Sequence, residues 1–256
     1  MPLINTLFEH LEPITQVTLA LGLGIFAWLE LQRPRRPKRA TRWGGWQTNL
    51  GLYVVGVLGV YLLFDPLSKL AIQWGGAGGW GGLAGTDCPF WLKLVLGILL
   101  IDLFQYLLHL ASHYVPWWWR LHRIHHSDTS VDASTAIRHH PLEVLLNSFL
   151  LVLLLKATGV AVEAILLYGL LQLLHGLFCH ANLALPTGVD RWLRWFIITP
   201  DMHVVHHSLH MDEGNSNFGT LFPWWDRLLR SYCAQPQLGN DAVRLGVSAP
   251  SPGLGL

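Results

Sequence analysis

The sequence has few cysteines and few charged residues, and each shortage excludes a class of protein. Its three cysteines, Cys88, Cys179 and Cys233, are far apart and odd in number, which excludes a disulfide framework and a zinc site made of cysteines. Charged residues make up only 13% of the chain, about half of their share in ordinary soluble domains. The net charge of +1 gives no support to nucleic-acid binding. No basic segment precedes the first apolar run, so we expect no cleaved signal peptide.

The sequence contains several long runs of apolar residues. Hydrophobic residues make up 52% of the chain, and the mean hydropathy is +0.37. The runs at residues 14–31, 46–64 and 90–110 are each long enough to cross most of a bilayer. Two shorter runs, 142–155 and 160–174, predict a helical hairpin that enters and leaves on the same side. We therefore predict an all-α polytopic membrane protein with about three transmembrane helices plus this hairpin.

Composition divides the chain into three parts. The N-terminal transmembrane region, residues 1–95, includes a basic linker at 33–42 and a glycine-rich loop at 74–87 that cannot hold a helix. The clustered histidines lie in residues 96–235. The segment 236–256 is rich in glycine and proline, and we expect it to be a flexible tail.

The distribution of lysine and arginine predicts the orientation of the spans. We assign the basic linker to the cytoplasm, because cytoplasmic loops are enriched in these residues. Only Lys69, Lys93 and Lys156 then lie outside, and the other fourteen of the seventeen basic residues lie inside. The same topology, built without reference to histidine, places every clustered histidine on the cytoplasmic side. This topology predicts a histidine-lined cap on the cytoplasmic side of the membrane.

Three histidine clusters hold eight of the fourteen histidines. They are His109-x-x-x-His113, His122-x-x-His125-His126 and His203-x-x-His206-His207. On a helix, residues three and four apart share a face, so the members of each cluster are expected to point the same way. Neutral imidazole is a ligand for iron, zinc, copper and nickel, and eight ligands exceed the needs of one ion. The clusters therefore predict a site for two ions, which could bind O2 between them if the metal is redox-active. A structural zinc site is less favoured, because such sites usually include cysteine.

Other residues are weaker candidates for the same site. His175 and His180 end the hairpin, but their spacing of five puts them on different faces of a regular helix. His140 precedes Pro141, which favours a helix start over a metal ligand. Burying the Asp102 carboxylate inside a membrane span costs free energy unless it has a partner. We therefore consider Asp102 a candidate catalytic residue that orients a histidine by accepting a hydrogen bond from its ring. An equally good interpretation pairs it with an arginine. Acidic residues flanking the triplets are further candidate partners: Asp128, Asp132, Asp201, Asp212 and Glu213.

Taken together, these features resemble the fatty acid hydroxylase/sterol desaturase superfamily of integral membrane di-iron proteins. The resemblance extends from about residue 97 to residue 232. The matching segments are 102–113 (DLFQYLLHLASH), 116–128 (PWWWRLHRIHHSD), 138–143 (RHHPLE), 180–183 (HANL), 199–208 (TPDMHVVHHS), 217–219 (NFG) and 225–226 (WD).

The resemblance implies a cofactor, a reaction and partners. It implies two iron ions, held by His109, His113, His122, His125, His126, His203, His206 and His207. An equivalent of His180 commonly belongs to the set, whereas the spacing of His175 and His180 departs from some relatives and leaves the ninth and tenth ligands open. In such proteins O2 and two electrons hydroxylate or desaturate a lipid C–H bond. The chain carries no appended heme domain, so a separate reductase or an electron carrier of ferredoxin or cytochrome type is expected.

Other functions remain as alternatives at this level. A heme-binding electron carrier needs histidines deep within helices, whereas these lie at helix ends. A metal transporter or sensor places its ligands near the middle of the membrane. An acyl-chain desaturase of the unrelated histidine-box type is closest in chemistry. The main alternative is thus a heme or metal-handling membrane protein without oxygenase activity.

Overall fold

The computed structural model describes residues 2–37, 42–64 and 82–247, and in these ranges the regular secondary structure is helical apart from two isolated β-bridges. The α-helices are α1 (Pro2–Gln32), α2 (Arg42–Gly59), α3 (Phe90–Tyr114), α4 (Pro116–His126), α5 (Pro141–Thr158), α6 (Val162–His180), α7 (Thr187–Leu193), α8 (Pro200–His206), α9 (Met211–Gly214) and α10 (Trp224–Leu228). A π-helical turn, Val60–Phe64, continues α2, and 3-10 turns lie at Gly82–Gly85 and Ala133–Ile137. Residues 65–81, most of the glycine-rich loop, lie outside the described residues.

Five of the described helices are long and apolar enough to cross a membrane. These spans are Pro13–Gln32, Trp43–Leu63, Phe90–Tyr114, Pro141–Thr158 and Glu163–His180. In the span of α5 only 6% of the residues are buried inside the protein, so most of its apolar side chains are left to face lipid. The all-α polytopic prediction is confirmed. Both hairpin helices are longer than their apolar runs, because α5 continues to Thr158 at the turn of the hairpin and α6 continues to His180 at the histidine end.

Proline and glycine set the helix boundaries around the histidines. Pro116, Pro141 and Pro200 each occupy the first turn of a helix, where their missing N–H needs no partner. Gly159 ends α5 in the left-handed conformation, with a φ of 66°, and lets the chain reverse into α6. The hairpin therefore has its turn at one membrane side and both open ends at the other.

Helix α6 is the central element of the bundle. It packs against α1, α3 and the Ala133–Ile137 turn, while α5 packs on α2. The start of α5 and the end of α6 come together beside α4, where Glu143 and His180 contact histidines of α4. The predicted hairpin geometry is thus present, and it brings its open end to the histidines.

Close packing of α3 on α6 depends on Gly97. A Cβ atom at this position would lie 2.9 Å from Cβ of Ala164 and 3.0 Å from Cγ1 of Val160. Replacing Gly97 with alanine should lower the free energy of unfolding by about 1–3 kcal/mol, because overpacking forces the helices apart. Gly169→Ala is the matched control, since no atom lies within 4 Å of its added Cβ and helix propensity improves. Thermal unfolding in detergent should show a lower midpoint for the first variant only. Equal midpoints would contradict this account of the helix contact.

The basic linker lies against the segment that follows α6. Pro34 forms a β-bridge with Leu183, and the Arg35 amide donates to the Asn182 carbonyl at 3.2 Å. The Arg35 guanidinium also pairs with Asp201 of α8 at 3.1 Å. The described part of the linker and the histidine-bearing helices are therefore on the same side of the bundle, as the positions of the basic residues predicted.

The first part of the predicted tail also contacts this side. The Leu209 amide donates to the Arg244 carbonyl at 2.7 Å, and the Gln237 amide donates to Glu213 Oε2 at 2.7 Å. These bonds hold residues 236–247 against the loop that follows α8. Residues 248–256 lie outside the described residues.

Candidate metal centre

Nine histidines form two adjacent groups at the open end of the hairpin. The first group consists of His109, His113, His122, His126 and His206, and the second consists of His125, His180, His203 and His207. Within each group the ring nitrogen atoms that could bind an ion lie within 4.8 Å of one another. The structure thus brings together all eight clustered histidines and His180.

Each histidine triplet is divided between the two groups. On α4, His122 and His126 belong to the first group, while His125 belongs to the second. At the end of α8 the arrangement is reversed, with His203 and His207 in the second group and His206 in the first. Successive residues of a helix are about 100° apart, so the middle histidine points away from its neighbour in sequence. The expectation that each triplet shares one face is therefore wrong in this detail.

Six of the nine imidazoles have an acceptor at Nδ1. The pairs are His109 with Phe218 O at 2.8 Å, His113 with Asn215 Oδ1 at 3.0 Å, His122 with Glu143 Oε1 at 2.6 Å, His125 with Arg138 O at 3.2 Å, His180 with Gly176 O at 2.7 Å and His206 with Ser216 O at 2.8 Å. Because these oxygens accept, the proton of each neutral ring lies on Nδ1. The Nε2 lone pair is then left for a metal, which is the usual arrangement of metal-binding histidines.

The inner nitrogens, the Nε2 atoms, are close together. Nε2 atoms are 3.1 Å apart for His113 and His126, 3.2 Å for His122 and His126, 3.1 Å for His125 and His180, 2.9 Å for His180 and His203, and 3.2 Å for His203 and His207. Where both rings carry their proton on Nδ1, two lone pairs face each other, which is repulsive without a cation between them. Neighbouring ligands about 2.1 Å from a six-coordinate ion are about 3.0 Å apart. The donor set therefore fits metal ions.

Two further nitrogens support this fit. In the described part of the chain, Nε2 of His109 and Nε2 of His206 are buried and have no hydrogen-bond partner. Both belong to the first group, and buried polar atoms are rarely left unpaired without a bound ion or another explanation.

Burial keeps four of the imidazoles outside the membrane spans neutral. It lowers the pKa of His125, His126, His203 and His206 well below the usual value, and the neighbouring imidazoles lower it further. A histidine must be neutral to bind a metal, so at pH 7 these rings are already in the ligating form.

Glu143 is a site residue that sequence analysis did not assign to the centre. Its side chain is 2% exposed, and its Oε1 accepts from His122. The other oxygen lies 3.6 Å from His139 Nδ1, and the His139 ring stacks on His125 with centroids 4.7 Å apart. The neighbouring His140 caps α5 by accepting from the Leu142 amide. The only sequence signal for Glu143 was its place in the RHHPLE segment.

The structure does not bring His175 into either group. Its Nε2 lies 2.9 Å from the carbonyl oxygen of Ile198, a separation at which the ring donates to that backbone. The prediction of His175 as a metal ligand is not supported by this placement. Five residues correspond to about 500° around the helix, so His175 faces about 140° away from His180.

Asp102 has neither of the partners expected for it. Its carboxylate accepts from the Tyr168 hydroxyl at 2.8 Å, from Trp225 Nε1 at 2.7 Å, and from the amides of Leu221 and Phe222 at 3.0 and 3.3 Å. None of these four donors is a histidine or an arginine. Asp102 fastens the loop before α10 to the middle of α3.

A second carboxylate shapes the same loop. Asp226 accepts from the amides of Phe218 and Gly219, each at 2.8 Å, and burial raises its pKa to about 6. The Phe218 carbonyl is the acceptor for His109. The two aspartates therefore act on the centre through the loop, which carries acceptors for His109, His113 and His206.

The acids that flank the triplets have structural partners. Asp128 accepts from Thr135, Asp132 caps the Ala133–Ile137 turn, Asp201 pairs with Arg35, and Glu213 accepts from Ser208. Asp212 is exposed. Among the described contacts of these five acids, none is a hydrogen bond to a histidine of the two groups.

A cavity of about 170 Å³ lies between α3, α5, α6 and the two histidine groups. Histidines from both groups line it, including His109, His125 and His203, and so does Glu143. The far wall is made by membrane-spanning helices. A chain segment entering from the membrane could therefore lie directly against both groups.

Comparisons with known proteins agree with this geometry. The fatty acid hydroxylase family model matches residues 94–231. Ornithine lipid hydroxylase OlsE of Rhizobium tropici is 30% identical over 155 residues, which are 60% of this chain and 46% of that protein. Methylsterol monooxygenase erg25B of Aspergillus fumigatus is 24% identical over 218 residues, which are 81% of this chain and 68% of that protein. Human alkylglycerol monooxygenase is 26% identical over 165 residues, which are 64% and 34% of the two chains.

The matched segments cover only part of each of the two proteins compared. The chain spans about half of the length of the ornithine lipid hydroxylase, 46%. No solved structure matches the chain. The family match covers more than half of the sequence and includes every histidine of both groups. The chain belongs to the fatty acid hydroxylase family.

Proposed function

We propose that this chain is a membrane-bound oxygenase that uses two iron ions, O2 and two electrons to hydroxylate or desaturate a lipid C–H bond. The observation that supports this most is the pair of adjacent imidazole groups lining a cavity between membrane-spanning helices. Imidazole is a suitable ligand for iron, and the relatives are named as hydroxylases and monooxygenases of lipids and sterols. Two bound iron ions would supply the activation of O2.

The residues of the chain have three roles in this proposal. The five histidines of the first group would hold one ion, and the four of the second group would hold the other. The carbonyl and carboxylate acceptors at Nδ1 fix the ring orientations and the tautomers. The cavity walls place the lipid chain beside both groups and keep bulk water away from it.

The alternative of a heme protein is less well supported. The Nε2 atoms of neighbouring histidines in each group are about 3 Å apart, from 2.9 to 3.2 Å, which suits a bare ion and leaves no room for a porphyrin between them. A transporter is also less favoured, because both groups lie at one end of the spans rather than near the middle of the membrane.

We propose that the centre lies on the cytoplasmic side. The described part of the basic linker contacts the segment after α6 and Asp201 of α8, so one side of the bundle carries both the basic residues and the histidines. The reaction needs two electrons, and a separate reductase or a carrier of ferredoxin or cytochrome type would deliver them on that side. A lipid is the proposed substrate, and a nucleic acid is not expected as a partner.

Labelling with ¹⁸O2 tests the proposed reaction. Membranes containing the protein and an electron donor are supplied with ¹⁸O2, and the lipid extract is compared with that of membranes lacking the protein. Hydroxylation should place one ¹⁸O atom in each product molecule, whereas desaturation should give an unlabelled alkene that still requires O2. A lipid extract unchanged by the protein under ¹⁸O2, with two iron ions bound, would contradict the proposal.

A further inference from the structure

Three carboxamide side chains line the cavity, and each comes from a different membrane-spanning helix. They are Gln105 on α3, Asn147 on α5 and Gln172 on α6. Oδ1 of Asn147 is buried and has no hydrogen-bond partner among the described residues. A buried amide oxygen without a donor is costly, so its presence next to a cavity points to a ligand that donates a hydrogen bond to it.

The helical positions of these amides set their depth relative to the histidines. Gln105 precedes His109 by one turn and Asn147 follows Glu143 by one turn, so each lies about 6 Å further into the membrane. Gln172 precedes His180 by two turns, or about 12 Å along its helix. The amides therefore form a polar band within the membrane, about 6–12 Å from the residues at the metal centre.

The charge of the cavity wall restricts the chemistry of the ligand. Among the described residues that line it, none is lysine or arginine, and Glu143 is the one with a carboxyl group. One oxygen of that carboxylate is already bonded to His122. At the depth of the amides a phosphate or carboxylate would find no lysine or arginine, whereas a carboxamide both donates to and accepts from an uncharged group.

From these three observations we infer that the cavity recognises a lipid by an uncharged group that can donate a hydrogen bond, such as a hydroxyl or a secondary amide, near the carbon that is oxidised. Gln105, Asn147 and Gln172 are the residues that bind this group. This inference rests on the proposed function and adds a substrate class to it. A plain hydrocarbon segment would leave Oδ1 of Asn147 unpaired, and sites built to hydrogen-bond a substrate group reject analogues that lack it.

Binding of matched lipid pairs to the metal-loaded protein under argon tests the inference without turnover. The pairs are hexadecane with 1-hexadecanol and cholestane with cholestanol, in mixed micelles, so that acyl-type and sterol-type ligands are separate arms. Palmitate and hexadecylamine serve as charged comparators. In at least one pair the hydroxyl-bearing member should bind about tenfold more tightly than its hydrocarbon partner and more tightly than either charged lipid.

Variants assign that preference to the amides. Asn147→Leu, which is close in shape, should reduce the preference to less than about twofold, and Gln172→Leu is a second variant in case the first does not fold. Gln47→Leu makes the same kind of change at an exposed amide outside the cavity and should keep the preference. Equal binding within both pairs, tighter binding of a charged lipid, or an unchanged preference in both cavity variants would overturn the inference. Failure of the proposed function is distinguishable, because it would appear as missing O2 chemistry with lipid binding intact.

Discussion

Replacing one histidine of either group with alanine should abolish lipid oxidation. His126→Ala removes a ligand from the first group and His125→Ala removes one from the second, although the two residues are adjacent in sequence. Each change removes one of the Nε2 atoms that would surround an ion, so one of the two ions would lack a full set of ligands. We expect bound iron to fall from about two ions per chain to about one or fewer, and product formation to fall by at least about 100-fold, because a direct ligand matters more than the residues that support it. Metal analysis and lipid product analysis measure the two effects.

The control for this experiment is another histidine of the same region. His210 is exposed and belongs to neither group, so His210→Ala should keep both the metal content and the activity. Full activity in His125→Ala or His126→Ala would show that the groups do not form the catalytic centre. Equal loss in His210→Ala would show that the effect of any histidine change in this segment is structural.

Removal of Glu143 should have the second largest effect. Its Oε1 accepts from His122 at 2.6 Å in a buried environment, so Glu143→Ala leaves the outer nitrogen of that ligand without an acceptor. Loss of such a partner typically lowers metal affinity or activity 10–100-fold. We expect a decrease of about that size in iron affinity, measured by titration of the metal-free protein and by product formation.

A conservative variant separates orientation of the ring from simple packing. Glu143→Gln keeps an oxygen acceptor of the same size, so it should retain more of the iron affinity than the alanine variant. Glu163→Ala changes an exposed glutamate on α6 and should have no effect. If the glutamine variant lost as much iron affinity as the alanine variant, an acceptor alone would not account for the role of Glu143.

Sequence periodicity predicted most of the fold, because lipid-facing helices leave a strong apolar pattern. The hairpin and the shared side of the clusters also followed from length and from the positions of the basic residues. The division of each triplet did not follow, since it depends on how α4 and α8 dock and not on either helix alone. For the same reason the Asp102 contacts were missed: three of its four donors come from the loop before α10 and the start of α10, about 120 residues away, and the fourth is Tyr168 of α6.

The acceptors at Nδ1 were the least predictable part of the site. Four of the six are backbone carbonyls, and any residue type supplies a carbonyl. For three of them only the tertiary fold determines which carbonyl meets which ring, whereas the Gly176 carbonyl lies one turn before His180 in the same helix. The Asn215 and Glu143 side chains were visible in the sequence, but nothing in their spacing connects them with His113 or His122.

The crossed contribution of the two triplets makes the two histidine groups interdependent. Because α4 and the end of α8 each supply histidines to both groups, neither group can form before the two helices have docked. If the groups hold two ions as proposed, the first ion would stabilise that docked arrangement against its conformational entropy, and the second would find its ligands already ordered. Loading would then be cooperative, and chains that carry a single ion would be disfavoured relative to empty and doubly loaded ones.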